Sequence, residues 1–165
     1  MKPNSICTFV VVIAMALAGC ASTPDHEVAK LAHAKDAPIS IFQFGVQSIN
    51  SVDGVSIRVH YINPSQTTYK YVKLWFSPWN RVGDPAPSTI GGKTLAGIVE
   101  VGPIGYGAGS GSYGAEYGPL WYNGSIKCIA LERVELVEMN GAVRSFNREE
   151  SRALVPGGNS MRCVA

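Results

Sequence analysis

Charge is scarce in this chain and neither sign prevails. Charged residues make up 16% of the sequence, with 14 Lys and Arg against 12 Asp and Glu. A surface that neutralises several phosphates needs a basic surplus, so nucleic acid is excluded as a partner. Histidine is scarce too: of the three, His26 and His33 fall in an Ala-rich polar stretch. His60 stands alone in an alternating segment and is read as facing solvent, so no metal-ligand spacing exists. Neither G-x-S-x-G nor H-E-x-x-H occurs, and no nucleophile, base and orienting group can be assembled. An enzyme is not expected, and no cofactor is implied. The chain also lacks the run of about 20 apolar residues that a membrane-spanning helix requires.

The apolar run that is present, "ICTFVVVIAMA", is shorter and ends in "LAGCAS". Lys2 before it, the core from Ile6 to Leu17 and the small residues at the end are the three parts of an export signal. Leu17-Ala18-Gly19-Cys20 resembles the lipobox of bacterial lipoproteins. The resemblance implies a signal peptide over residues 1–19 and acylation of the Cys20 sulfur. Two or more acyl chains, at about 0.8 kcal/mol per buried methylene, make a lasting anchor. The partner is then a membrane, held through the N-terminal lipid. By resemblance to the sorting rules of lipoproteins in double-membrane bacteria, Ala21 rather than Asp after Cys20 implies the outer membrane, facing the periplasm. Residues 20–37 are polar and Ala-rich, a tether too short for a core, so residues 38–165 form one domain.

Loss of the signal removes Cys7, and lipid consumes Cys20. Cys128 and Cys163 remain. Two thiols in an oxidising compartment fit a disulfide, the other reading being a buried free Cys128 and a dangling Cys163.

From Ile39 onward, short β-like segments are separated by turn signals. "ISIFQFGVQSIN" and "VSIRVHYIN" flank a hairpin at Asp53-Gly54. In the second segment Val55, Ile57, Val59 and Tyr61 alternate with polar residues. "YKYVKLWFS" is a third strand, with Val72, Leu74 and Phe76 on one face and Tyr69, Tyr71, Lys73 and Trp75 on the other. "KTLAGIVEV" is a weaker fourth. "IKCIALERVELVEMNGAVRSF" carries Glu132, Glu135 and Glu138 at a spacing that a helix tolerates. Its β-branched residues before Asn140-Gly141 instead predict two strands and a hairpin. Many short strands without an interior helix predict a β-sandwich.

The segments "VHYINPSQTTYKYVKLWFSPWNRVGDP", "GPI" and "LWYNGSIKCIALERVELVEMNG" resemble a group of uncharacterised bacterial envelope lipoproteins. The likeness spans residues 38–146 and implies an immunoglobulin-like antiparallel sandwich, with no enzymatic activity attached. A Gly/Tyr-rich loop at residues 105–118 and the C-terminal tail depart from that pattern.

Within the loop, "GSGSYG" at Gly109–Gly114 has dinucleotide-loop spacing, but no helix follows to hold a pyrophosphate. It is read as a mobile loop, because ordering glycines is entropically costly. Glu132, Glu135 and Glu138 are read as surface partners of Arg133 and Arg144 rather than as acids and bases. The remaining lead is aromatic. Trp75, Trp79, Trp121 and Tyr122, joined by Tyr106, Tyr113 and Tyr117, could present rings to a sugar or peptide, the alternative being core and turn packing. The expectation is a lipid-anchored module that docks another envelope protein, or else binds a carbohydrate or peptidoglycan strand. In "WNRVGDP", Gly83 is expected at positive φ and Asn80 as an Asx-type acceptor. A substitution at Gly109 is expected to cost less than one at Gly83.

Overall fold

A computed structural model describes residues 37–111, 113–159 and 161–163. The predicted signal peptide, lipid-acceptor Cys20 and tether up to residue 36 lie outside the described residues. In chain order the strands are β1 (Ser40–Ile49), β2 (Gly54–Ile62), β3 (Tyr69–Asn80), β4 (Ala96–Ile104) and β5 (Ala115–Tyr122). Then come β6 (Ile126–Glu138), β7 (Val143–Phe146), a four-residue helix α1 (Arg148–Ser151), a 3-10 turn (Arg152–Leu154) and β8 (Met161–Cys163). One sheet runs β1-β2-β5. The other runs β4-β3-β6-β7, with β8 also paired to β6. All pairings are antiparallel, and the two sheets make an all-β sandwich.

The core follows from period-2 alternation. Val55, Ile57, Val59 and Tyr61 of β2 face Val72, Leu74 and Phe76 of β3 and Leu131, Val134 and Leu136 of β6 across the layers, all buried. Phe44 of β1 meets Phe76 with ring centroids 5.5 Å apart. At the first hairpin, Asn50 Oδ1 accepts from the amides of Val52 and Gly54, and Asp53 takes a φ of 59°. Gly54 is needed for closeness rather than for positive φ, since a Cβ there would lie 2.6 Å from the Asn50 side chain. At the β6–β7 turn, Gly141 has a φ of 89° and Asn140 Oδ1 accepts from Ala142 N.

Several expectations need correction. Tyr69 does not share the outer face with Tyr71: it is buried and its hydroxyl donates to Pro38 O. The register slips between Tyr69 and Tyr71 against both neighbouring strands, which turns Tyr69 inward. The predicted loop at residues 105–118 is shorter, because Ala115 to Gly118 belong to β5, which pairs with β2. Nor is that segment loose. Asn63 N donates to Ala108 O, Gly107 N to Asn63 O, and Tyr61 N to Ser110 Oγ. Gly109 bridges to Ile62 so closely that a Cβ would lie 2.0 Å from Tyr61 O. His60 is buried rather than solvated: its ring tilts against Phe42, and Gly114 passes over it. An interior helix exists after all. Asn147 caps α1, its side chain accepting from Glu149 N and Glu150 N while Glu150 reaches back to Asn147 N. The following turn buries Leu154 and Val155. Cys128 is disulfide-bonded, and the residue across from it in the β6–β8 ladder is Cys163.

Candidate functional site

Past Phe76 the outward side chains of β3 are Ser77 and Trp79, and the chain reverses at Asn80–Asp84. Asn80 Oδ1 accepts from Val82 N and Asp84 N, and Gly83 takes a φ of 90°, as expected. The connection that follows is held at its backbone. Ala86 N donates to Pro78 O, Ser88 Oγ accepts from Tyr122 N, and Thr89 N donates to Tyr122 O. It therefore stands as a fixed wall beside β3. Between wall and sheet lies a groove of about 460 Å³, lined by Ser77, Pro78, Trp79, Pro85, Pro87, Thr94, Leu95 and Glu132. Its size is that of a ligand pocket and its lining is mostly apolar.

The polar atoms at the groove form a chain. Trp79 Nε1 donates to Ser77 Oγ at 2.8 Å, and Ser77 Oγ donates to Glu132 Oε1 at 2.5 Å. Arg148 of α1 approaches the same oxygen at 3.4 Å and lies 5.9 Å from the centre of the Trp79 ring. These bonds fix the indole plane and spend the charge of Glu132 on Arg148. The arrangement offers an aromatic and proline surface with one carboxylate.

The four predicted ligand-face aromatics do not come together. Trp121 is fully buried in the core, on β5, its Nε1 without a hydrogen-bond partner among the described residues. Tyr122 follows it on the three-stranded sheet, half-buried. Trp75 does lie on the outer face of β3, but Arg133 stacks on it at 3.8 Å and its indole covers Gly97. Trp79 alone joins the groove. Of the loop tyrosines, Tyr106 and Tyr113 are exposed. Tyr117 is on β5, where its hydroxyl donates to Glu100 of β4. Glu135 pairs with Lys73 and Glu132 with Arg148, not with Arg133 or Arg144.

Sequence reasoning missed Glu100. Tyr61 donates to its Oε2 at 3.1 Å and Tyr117 to its Oε1, so one carboxylate of β4 fastens β2 and β5, two of the three strands of the facing sheet. Burial, then the charge and hydrogen bond of Glu100, push the Tyr61 phenol well above its ordinary range. Burial, then the Glu100 hydrogen bond and charge, do the same to Tyr117. This is a clamp between layers, with both phenols kept protonated. The alternation of "GIVEVG" marked Glu100 only as a polar residue in a strand. The contribution of Pro85, Pro87 and Leu95 to the groove had no local signal either.

Among the described residues no group of three or more His, Cys, Asp or Glu is placed to hold a metal ion, and no helix is long and apolar enough to cross a membrane. No protein-family model matches the chain, and neither a curated protein nor a solved structure matches it.

Proposed function

We propose that this chain is a lipid-anchored module of the bacterial cell envelope, held to the outer membrane through Cys20 and facing the periplasm. Its sandwich, of the immunoglobulin-like kind that the sequence resemblance implies, docks another envelope protein and catalyses nothing. The observation that carries the docking role is the groove beside Trp79: a preformed, mostly apolar surface whose wall is hydrogen-bonded in place and whose aromatic ring has its polar atom satisfied. Such a surface loses little entropy on binding, and it leaves Leu95, 44% exposed, at its rim. A partner's apolar side chains would seat against Trp79 and the prolines, with the anchor supplying proximity.

The test compares the full chain with Leu95→Asp and Val52→Asp in cells, after chemical crosslinking and mass identification. The reading expects one envelope partner to be captured by wild type and Val52→Asp and lost with Leu95→Asp. Equal capture by all three overturns the groove as the dock. One observation favours a glycan instead: Glu132 Oε2 has no partner among the described residues and stands beside Trp79, so a sugar could stack on the ring and donate a hydroxyl to that oxygen. Saturable quenching of tryptophan fluorescence by peptidoglycan fragments, lost in Trp79→Phe and Glu132→Gln alike, would select that reading.

A further inference from the structure

We propose that the outer face of the three-stranded sheet carries a second site, distinct from the groove, that takes a small oxyanion, a carboxylate or phosphate, on Arg58. The hairpin of β1 and β2 slips register twice, between Ile41 and Gln43 and again between Val46 and Ser48. Between those irregularities lies a hollow of about 140 Å³ lined by Gln43, Gly45, Gln47, Arg58 and His60, with Phe44 and Val46. Gly45 stands directly across the ladder from Arg58, and nothing lies within 4 Å of where its Cβ would be. The strand neighbour of Arg58 therefore adds no side chain to the hollow.

Arg58 is not satisfied by the described residues. Among them its buried Nε has no hydrogen-bond partner. Its Nη2 reaches Glu116 Oε2 at 3.4 Å, between side chains that are both substantially exposed. A guanidinium cannot shed its proton to relieve a buried N–H, and its planar fork matches the two oxygens of a carboxylate or phosphate. A hollow of this size admits a small oxyanion. Glu116 is the competing anion. It meets one nitrogen of the guanidinium, Nη2, so it weakens binding and does not replace the ligand.

The experiment titrates the isotope-labelled full chain, in detergent, with sodium phosphate and separately with sodium acetate, each against sodium chloride at matched ionic strength. The Arg58 Nε–H resonance and the side-chain amides of Gln43 and Gln47 are followed. The expected result is a saturable shift with phosphate or acetate and none with chloride. Arg58→Lys should weaken it at least tenfold by removing the fork. Gly45→Leu should abolish it with the charge left in place, its melting temperature confirming the fold. Glu116→Gln should tighten it about two- to fivefold, the worth of an exposed pair. A titration with dihexanoyl-phosphatidylglycerol separates the sources: binding tighter than phosphate marks a lipid headgroup, weaker binding a soluble anion. No saturable shift at Arg58 with phosphate or acetate, or affinities unchanged in both Gly45→Leu and Glu116→Gln, would overturn the proposal.

Discussion

Two glycine-containing connections flank β4, and they are packed in opposite ways. Residues 81–95 lead from β3 into it, and Gly83, Gly91 and Gly92 there all have positive φ with open space where a Cβ would stand. Residues 105–114 lead out of it, and there Gly109 lies against the Tyr61 carbonyl and Gly114 against the His60 ring. The first uses glycine for its backbone conformation alone; the second does so at Gly107 and Gly111 and adds close approach at Gly109 and Gly114. Composition alone cannot separate these uses, and they have opposite consequences. The first connection keeps a wall and leaves a groove beside it; the second is stitched onto the end of β2 and closes the sandwich.

The sharpest way to break the comparison is a pair of valines. Gly109→Val would drive a branched side chain into Tyr61 O and the Ile62 Cα, 2.0 Å and 2.9 Å from its Cβ, and neither backbone atom can turn aside. The expected loss is about 3 kcal/mol or more, enough to leave little folded protein. Gly83→Val meets no neighbour and suffers only its positive φ, a loss of about 1–3 kcal/mol. Thermal unfolding of the full chain with each substitution checks the order. Equal melting points, or a larger loss at Gly83, would return residues 105–114 to the status of a loose loop.

That order reverses what the sequence implies, and the reason is physical. Turn chemistry is local, so the reversals at Asp53, Gly83 and Asn140-Gly141 are legible, as is the alternation of β2, β3 and β6. The β5 strand is not, because Gly118 and Pro119 interrupt "AEYGPLWY" where pairing with β2 overrides weak propensity. Asn147 with Glu150 three residues later was a readable capping signal that the strand pattern overshadowed. The groove draws Trp79, Leu95 and Glu132 from three separate segments, and the hollow at Arg58 depends on register slips in β1. Only tertiary pairing creates either.

A smaller effect sharpens the contrast from the closed side. Tyr61 and Tyr117 are held protonated beside Glu100, with phenols raised above the ordinary value of 10.0. A group whose folded pKa is raised contributes stability that is fully present below its unfolded value and lost as pH rises through the folded one. Stability should therefore be flat up to about pH 10 and fall above it. The double variant Tyr61→Phe and Tyr117→Phe should be less stable at neutral pH and fall less steeply. Urea unfolding between pH 8 and 11 measures both slopes, and identical slopes would remove the clamp from the account.

The smallest stability effect is expected on the open side. Leu95 is 44% exposed, so Leu95→Asp should change the unfolding free energy by about 0.5 kcal/mol or less. A loss several times larger would mean that the groove rim belongs to the core and is not free to receive a partner.

The central claim is that the connection entering β4, and not the one leaving it, carries the dock. A photo-crosslinking amino acid placed at Leu95, and in a second strain at the exposed Tyr106, tests it in intact cells. The account predicts that illumination joins the Leu95 variant to a single envelope protein at a defined mass and leaves the Tyr106 variant unjoined. A product at Tyr106 with none at Leu95 would contradict it.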